Sequence, residues 1–155
     1  MTIGITEKGA TERWSDVSVL LAPFRARVIA LEGRMKALGF DPVIHETYRS
    51  PERAAMLARK GTGIKSSMHT FGVAVDFICG AHRWDCQKHG CDFFETYTEQ
   101  AERCGLYAGG RWKKKDWPHC QGIPATAKVQ DAMRACKTHE EREALLLKHL
   151  RPMVP

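Results

Sequence analysis

Hydrophobic residues recur at intervals of three and four along residues 16–38, which is the spacing of one face of an α-helix. Basic residues occupy the opposite face of the same stretch. Ser15 or Asp16 can cap the start of this predicted helix, and Gly39 can end it. Pro23 marks either a kink or the true first turn. The pattern is typical of an amphipathic helix that packs against a core.

Two strands are predicted, one over residues 43–47 and one over residues 72–78. Pro51 opens a second helix, which runs to about Lys60 and stops at Gly61. Further predicted elements are a helix over 92–104 ended by Gly105, a short strand among loops within 106–121, and helices over about 125–136 and 140–150. The leucines of the last helix are expected to close the core: Leu145, Leu146, Leu147 and Leu150. This order predicts an α+β fold with a small, mainly antiparallel sheet flanked by helices.

Composition limits the classes of protein that fit this pattern. The chain has 155 residues, so we expect residues 1–155 to form a single domain with its own core. Its formal net charge of +6 favours an anionic partner, which could be nucleic acid, a membrane surface or the bacterial cell wall. No apolar run approaches the ~18 residues of a transmembrane helix. The start of the sequence also lacks the pattern of a secretory signal peptide, so we expect a cytoplasmic chain without membrane insertion.

Two segments carry residues with catalytic chemistry. In the first, His69 and Asp76 are seven positions apart, so they would lie on opposite faces of one continuous strand. His69 can meet Asp76 only if it precedes the strand in a turn, which Gly72 would allow. In the second segment, Asp116 and His119 flank Pro118, which excludes an ordinary helix interior.

Two histidines and a carboxylate, with a position left for water, are a ligand set of catalytic zinc. Bound zinc lowers the pKa of water to about 7, so a further carboxylate nearby can act as a general base. These segments resemble the M15 family of zinc peptidases. The family pattern Ser-x-His-x-x-Gly-x-Ala-x-Asp is matched over residues 67–76, and Glu-x-x-Arg-Ser over residues 46–50. Gly-Gly-x-Trp followed by Asp-x-Pro-His-Phe-Gln is matched over residues 109–121, with Cys120 in place of the phenylalanine.

The resemblance spans about residues 41–121 and implies a zinc-peptidase fold of the D-Ala-D-Ala carboxypeptidase type, with one catalytic Zn²⁺. The implied metal ligands are His69, Asp76 and His119. Asp116 is then the general base. Arg49 is implied to be catalytic and substrate-binding, either holding a substrate carboxylate or stabilising the oxyanion. Ser67 is implied to help position the substrate.

Within the family, the motifs are most similar to those of phage endolysins that act as L-alanyl-D-glutamate endopeptidases. The implied protein is a monomer that is held in the cytoplasm until release and then acts on bacterial peptidoglycan. The alternatives are a D-alanyl-D-alanine carboxypeptidase and a non-catalytic, zinc-stabilised module that binds the cell wall. Nucleic-acid binding is disfavoured because the lysines have no interleaved aromatic residues beyond Trp112 and Trp117.

The six cysteines are expected to be reduced, so metal binding or burial is considered before disulfides. Residues 79–92 have three open interpretations: an exposed insertion, a disulfide such as Cys86–Cys91, or a second, structural metal ion. The candidate ligands of that ion are His82, Cys86, His89 and Cys91, although their spacing is tighter than in zinc fingers. Cys104 and Cys136 are expected in the core. Cys120 is either a small buried residue or a competing soft ligand.

Overall fold

The computed structural model describes residues 9–64 and 66–155. Residues 1–8, where the sequence lacks a signal-peptide pattern, lie outside the described residues. The helices are α1 (Ala22–Ala37), α2 (Pro51–Arg59), α3 (Phe93–Arg103), α4 (Ala127–Ala135) and α5 (His139–His149). The strands are β1 (Pro42–Glu46), β2 (Ala74–Cys79), β3 (Tyr107–Ala108) and β4 (His119–Gln121). Short 3₁₀ turns lie at Val17–Val19, Met68–Phe71, Cys86–His89 and Gly109–Arg111.

The four strands form one antiparallel sheet in the order β1-β2-β4-β3. Together with the five helices, this confirms the predicted α+β class. Asp76 in β2 lies opposite His119 in β4 and opposite Glu46 in β1. The register between β1 and β2 shifts between Ile44 and Glu46, so the ladder is irregular beside Glu46. Three polar side chains therefore stand in a row across neighbouring strands.

Helix α1 starts later than the hydrophobic pattern predicts, at Ala22 instead of Asp16. Pro23 occupies its first turn, where the missing N–H of proline leaves no helical hydrogen bond unmade. Asp16 instead caps the preceding 3₁₀ turn, and its carboxylate accepts a hydrogen bond from the Ser18 amide at 2.8 Å. The buried face of α1 follows the predicted spacing: Phe24, Val28, Leu31 and Met35.

The core lies between the sheet and α1, α3 and α5. Leu146 is buried there, and Leu145 and Leu150 pack against it as partly buried residues. The prediction for Leu147 is wrong, because this side chain is 59% exposed on the outer face of α5. Cys104 is buried as expected. Cys136 is not a core residue, because it follows the last turn of α4 and is only half-buried.

Residues after α5 return to the end of α3. The amide of Arg151 donates to the Gly105 carbonyl at 3.2 Å, and the amide of Val154 donates to the Arg103 carbonyl at 2.7 Å. One guanidinium nitrogen of Arg27 binds the Cys104 and Arg151 carbonyls at 2.8 and 2.7 Å. The α3 end is thus covered by the C-terminal segment. Within the described residues, no helix is long and apolar enough to cross a bilayer.

Replacing Gly105 with alanine should destabilise the fold more than the same change at Gly39. Both glycines have positive φ, +76° and +89°, so alanine costs about 1–2 kcal/mol of backbone strain at either site. A Cβ at Gly105 would also collide with the Arg151 carbonyl, whereas nothing lies within 4 Å at Gly39. We expect Gly105→Ala to lose a further ~1–3 kcal/mol of unfolding free energy, measured by urea denaturation. Equal losses for both variants would contradict this packing.

Candidate active site

His69 lies in the 3₁₀ turn that precedes β2, as the spacing to Asp76 required. The Ser67 hydroxyl caps this turn by accepting a hydrogen bond from the His69 amide at 3.3 Å. Gly72 ends the turn with φ +73°, a conformation that favours glycine, and the chain then enters β2. The turn therefore folds His69 back over the strand that carries Asp76.

The predicted metal ligands come together. One ligand atom from each of His69, Asp76 and His119 lies within 4.8 Å of the other two. The Asp76 Oδ1 atom is 3.4 Å from His69 Nε2 and 3.1 Å from His119 Nδ1. His69 and His119 are buried, with their ring centroids 5.1 Å apart. The three donors surround one position that a single cation could share.

Hydrogen bonds on the outer side of each imidazole orient the ligand nitrogens. The Nδ1–H of His69 donates to the Thr47 carbonyl at 2.8 Å, and the Nε2–H of His119 donates to Gln121 Oε1 at 2.8 Å. The Gln121 amide is itself oriented, because its Nε2 donates to the Ile123 carbonyl at 2.9 Å. In the neutral tautomers that these bonds favour, the other nitrogen of each ring is a lone pair beside the Asp76 carboxylate; without a cation the same nitrogen can carry a proton and donate to Asp76. Three electron-rich atoms in a buried place fit a bound cation.

Asp76 is held in its charged form. Burial by itself would raise the pKa of this carboxyl, but the imidazoles of His69 and His119 hold that pKa well below its ordinary value. Burial would likewise lower the pKa of His119, but the Asp76 carboxylate raises it above its ordinary value. A carboxylate that stays ionised at neutral pH is the form that binds a metal ion.

Asp116 is placed by the loop that follows the Gly-Gly pair. The Gly109 carbonyl accepts hydrogen bonds from the amides of Trp112 and Asp116 at 3.1 and 3.0 Å. A Cβ at Gly109 would collide with the Asp116 carbonyl, and one at Gly110 would lie 2.8 Å from the Trp117 ring. The glycines of this motif therefore permit the close loop packing that brings Asp116 toward β4.

The Asp116 carboxyl lies at the mouth of the site, and the residue remains exposed to solvent. Partial desolvation raises its pKa above the ordinary value, and the Asp76 carboxylate adds to this shift, although His119 opposes it. A carboxylate with a raised pKa accepts a proton more readily than an ordinary aspartate. This property suits a group that takes a proton and later returns it.

Arg49 lines the same cavity, but it is not a free cation. Its Nε and Nη2 atoms donate to both carboxylate oxygens of Glu46 at 3.1 and 3.0 Å. Its Nη1 atom is 3.4 Å from the hydroxyl of Ser67. Arg53 binds the same Glu46 carboxylate, with Nε 2.7 Å from Oε2. Glu46 thus fixes two guanidinium groups, and Ser67 both caps the His69 turn and contacts Arg49.

Three residues that support the site were given no role at the sequence level. Glu46 and Gln121 stand inside the matched patterns, so their positions were visible although their contacts were not. Arg53 lies in the first turn of α2, four residues after Arg49, which precedes the helix, so helical spacing alone did not indicate a second guanidinium beside Glu46. Glu46 and Gln121 contact Arg49 and His119, which the sequence did single out, and Arg53 contacts Glu46.

The site lies in a cavity of about 1020 Å³ that is open to solvent. Charged and polar lining residues include His45, Glu46, Arg49, Arg53, Ser67, His69, Asp76, Lys113, Asp116, His119, Gln121 and Gln130, and apolar ones include Leu57, Ile64, Met68, Trp84 and Trp112.

Cys120 does not line the cavity, since it is fully buried in the core and burial raises the pKa of its thiol to about 12. The interpretation of Cys120 as a small buried residue is therefore confirmed.

Most residues between Gly80 and Gly90 are exposed, as expected for an exposed insertion, but Cys79 and Cys86 are buried. The group that the structure brings together differs from the set expected from the sequence, which was His82, Cys86, His89 and Cys91. The sulfur atoms of Cys79, Cys86 and Cys91 form the group, whereas His82 and His89 stack on one another outside it. The sequence pattern missed Cys79 because it ends a buried strand.

Comparison with known proteins agrees with this geometry. The sequence model of an M15 peptidase family, described as D-alanyl-D-alanine carboxypeptidase, matches residues 60–122. This range includes His69, Asp76, Asp116 and His119, but not Arg49. A comparison with curated proteins gives no match.

Two solved structures share the fold. The first is the L-Ala D-Glu endopeptidase ChiX of Serratia marcescens, with a TM-score of 0.55 and 23% identity. The similarity covers 72% of this chain and 90% of ChiX. The second is the LD-carboxypeptidase LdcB, with a TM-score of 0.53 and 13% identity over 85% of this chain and 70% of LdcB. At these identities the structures show a common fold only.

The sequence match therefore falls on the segment that brings two histidines and two aspartates to one cavity, and the fold is that of known M15-type peptidases. The resemblance of the motifs to this family is confirmed over residues 60–122, and the sequence match and the shared fold together support a peptidase.

Proposed function

We propose that the protein is a zinc-dependent peptidoglycan peptidase that cleaves the stem peptide between L-alanine and D-glutamate, and that it acts as a phage-type endolysin after release from the cytoplasm. The observation that carries this proposal is the convergence of His69, Asp76 and His119 on one position, with Asp116 at the mouth of the same open cavity. The similarity to an L-Ala D-Glu endopeptidase over most of that enzyme's length supports the choice of bond.

The donor set fits zinc. Two imidazole nitrogens and one carboxylate are three protein ligands, and catalytic zinc sites keep a fourth position open for water or substrate. When bound, zinc would lower the pKa of water and polarise the carbonyl of the scissile amide. His69 and His119 would bind through the nitrogens that face Asp76, because their other nitrogens are hydrogen-bonded to Thr47 and Gln121.

Asp116 supplies the proton transfers in this proposal. Its carboxylate takes a proton from the attacking water and then gives that proton to the nitrogen of the leaving amine. The raised pKa of Asp116 makes its carboxylate a better proton acceptor than an ordinary aspartate. A non-catalytic module would have no need for a second carboxylate at this place, which favours the enzyme over a wall-binding module.

Arg49 suits both peptidase reactions under consideration. In each of them, the amine released by cleavage carries a carboxylate on its α-carbon. The guanidinium is buried at the cavity wall and held by Glu46, so its Nη1 edge is presented in a fixed orientation. Recognition of a carboxylate by Arg49 therefore does not separate an endopeptidase from a D-alanyl-D-alanine carboxypeptidase.

The size and openness of the cavity favour the endopeptidase. A carboxypeptidase needs a site that closes around a terminal residue, whereas an endopeptidase must hold peptide on both sides of the bond. The cavity of about 1020 Å³ is open, and two exposed apolar side chains, Ile64 and Trp84, stand at its wall. The formal net charge of +6 also suits an anionic cell wall.

Asp116→Asn should abolish most of the activity without loss of metal. Asparagine keeps the size of the side chain but cannot accept the proton, so kcat should fall about 10²- to 10⁴-fold. Turnover of purified peptidoglycan and zinc content would be measured together. Asp131→Asn is the matched control, because the Asp131 side chain is 70% exposed and pairs only with Arg134 among the described contacts. Full activity of Asp116→Asn would exclude Asp116 as the base.

Gln121→Leu should weaken zinc binding while the protein remains folded. The substitution removes the acceptor that orients the His119 imidazole, and losses of such outer partners cost about 10- to 100-fold in metal affinity. Competition with a chromophoric chelator would measure the affinity. Gln100→Leu in α3 is the matched control and should bind zinc like the wild type. Unchanged affinity in Gln121→Leu would contradict the orienting role of this residue.

The products released from purified peptidoglycan test the proposed bond. Mass spectrometry of the digested muropeptides should show new amino-terminal D-glutamate and stems that end at L-alanine. Loss of a single alanine from intact stems would instead identify the D-alanyl-D-alanine carboxypeptidase. Zinc-loaded protein that binds peptidoglycan but releases neither product would identify the non-catalytic module.

A further inference from the structure

We infer that Cys79, Cys86 and Cys91 form a second metal site, a three-thiolate site for a soft divalent cation such as Zn²⁺. Their three sulfur atoms lie within 4.8 Å of one another, although the residues come from separate parts of the segment. Sulfur ligands on a tetrahedral zinc ion lie about 2.3 Å from the metal and so ~3.8 Å from each other. The group has the overall span of a zinc site and shares no residue with the active site, but the Cys86 and Cys91 sulfurs, 2.6 Å apart, would have to separate to bind one ion.

The backbone of this segment is folded around the sulfurs. Cys79 ends β2, and a tight turn pairs it with Arg83 through two backbone hydrogen bonds, at 2.7 and 3.2 Å. The 3₁₀ turn at Cys86–His89 ends at Gly90, whose φ is +70°. The amide of Cys91 then donates to the Cys86 carbonyl at 3.0 Å. Two successive turns therefore bring the second and third thiols back to the end of the strand.

The sulfur of Cys79 is already in an environment that suits a thiolate. The backbone amides of His82 and Ala81 form hydrogen bonds to this sulfur. The thiolate is the form of cysteine that binds metal, and amide donors stabilise its charge. A turn that aims two amides at a sulfur is otherwise unexplained at the end of a buried strand.

Two histidines of the same segment could supply the fourth ligand of this site. His82 and His89 belong to the same two turns, and their rings stack with centroids 4.2 Å apart. Neither ring belongs to the three-sulfur group, and both side chains are at least partly exposed and can turn. An imidazole from this stack would complete a Cys₃His set, which is one of the structural zinc sites.

A disulfide between Cys86 and Cys91 is the competing state of the same thiols. The Cys86 thiol donates to the Cys91 sulfur at 2.6 Å, so these two groups are in contact. A disulfide would use only two of the three converging sulfurs. The Cys79 sulfur, which accepts hydrogen bonds from backbone amides, would then have no sulfur or metal partner. A metal ion uses all three, and this is why we favour it.

The site would also position part of the substrate cavity. Trp84 lies between the two turns, lines the cavity and contacts the His45 ring edge-on, with the centroids 4.7 Å apart. Most side chains between Gly80 and Gly90 are exposed, and Cys86 is the buried exception among them. Such a segment has little apolar burial to hold it, so a metal ion would contribute much of its stability.

The metal content of the purified protein tests the proposal directly. Protein purified anaerobically and without chelators should contain two zinc ions per chain, as measured by elemental mass spectrometry. Cys79→Ser and the double variant Cys86→Ser/Cys91→Ser should each contain one. Cys136→Ser is the matched control, because this half-buried thiol lies outside the group, and it should retain two. His119→Ala should also contain one, having lost the other ion.

Cobalt substitution identifies which ion is bound by sulfur. Thiolate-to-cobalt charge-transfer absorption should be present in the wild type and in His119→Ala, and absent in Cys79→Ser. A wild-type protein with one metal ion and no such absorption would overturn the proposal. So would a wild-type mass lower by two hydrogens with only four titratable thiols, the signature of the disulfide. The active-site ion is reported separately by His119→Ala, so failure of one site is distinguishable from failure of the other.

Discussion

Two carboxylates lie opposite each other on neighbouring strands, and the structure around them is arranged to neutralise both. Glu46 and Asp76 are cross-strand partners beside one cavity, and like charges at that position repel. Glu46 is neutralised by Arg49 and Arg53, which both come from the chain that follows β1. Among the described residues, no Lys or Arg pairs with Asp76, whose carboxylate instead faces ring nitrogens of His69 and His119. Glu46 is thus neutralised by a fixed ion pair, whereas Asp76 is left as a candidate ligand for a cation.

The register of the strands keeps these side chains on the same face of the sheet. Side chains alternate between the two faces of a sheet, so a slip of one residue would send Asp76 to the opposite face from His119. The ladder between β2 and β4 has only three residue pairs, which is little to fix a register. The close packing of Gly109 and Gly110 against the loop that precedes His119 adds the missing constraint. Glycine at these positions is therefore part of the site's geometry.

The sequence predicted the features that depend on local pattern. The buried face of α1, the turn that carries His69 and the α+β class follow from residue spacing and from the positions of proline and glycine. The missed features depend on contacts between distant segments. Neither the sharing of Glu46 by two arginines nor the meeting of Cys79 with Cys86 and Cys91 has a periodic signal. Leu147 and Cys136 were misplaced because helical spacing does not show which face a neighbouring helix covers.

The short pairing of β4 has a consequence for the way the molecule comes apart. His119 begins a strand of three residues, whereas Asp76 belongs to a longer strand that also pairs with β1. If a cation is bound as proposed, it would link β2 to β4 through His69, Asp76 and His119. Without the ion, the edge formed by β4 and β3 would open locally while α1 and its buried face stayed folded. Loss of the metal would then increase the local opening of this edge before it lowered the global stability of the fold.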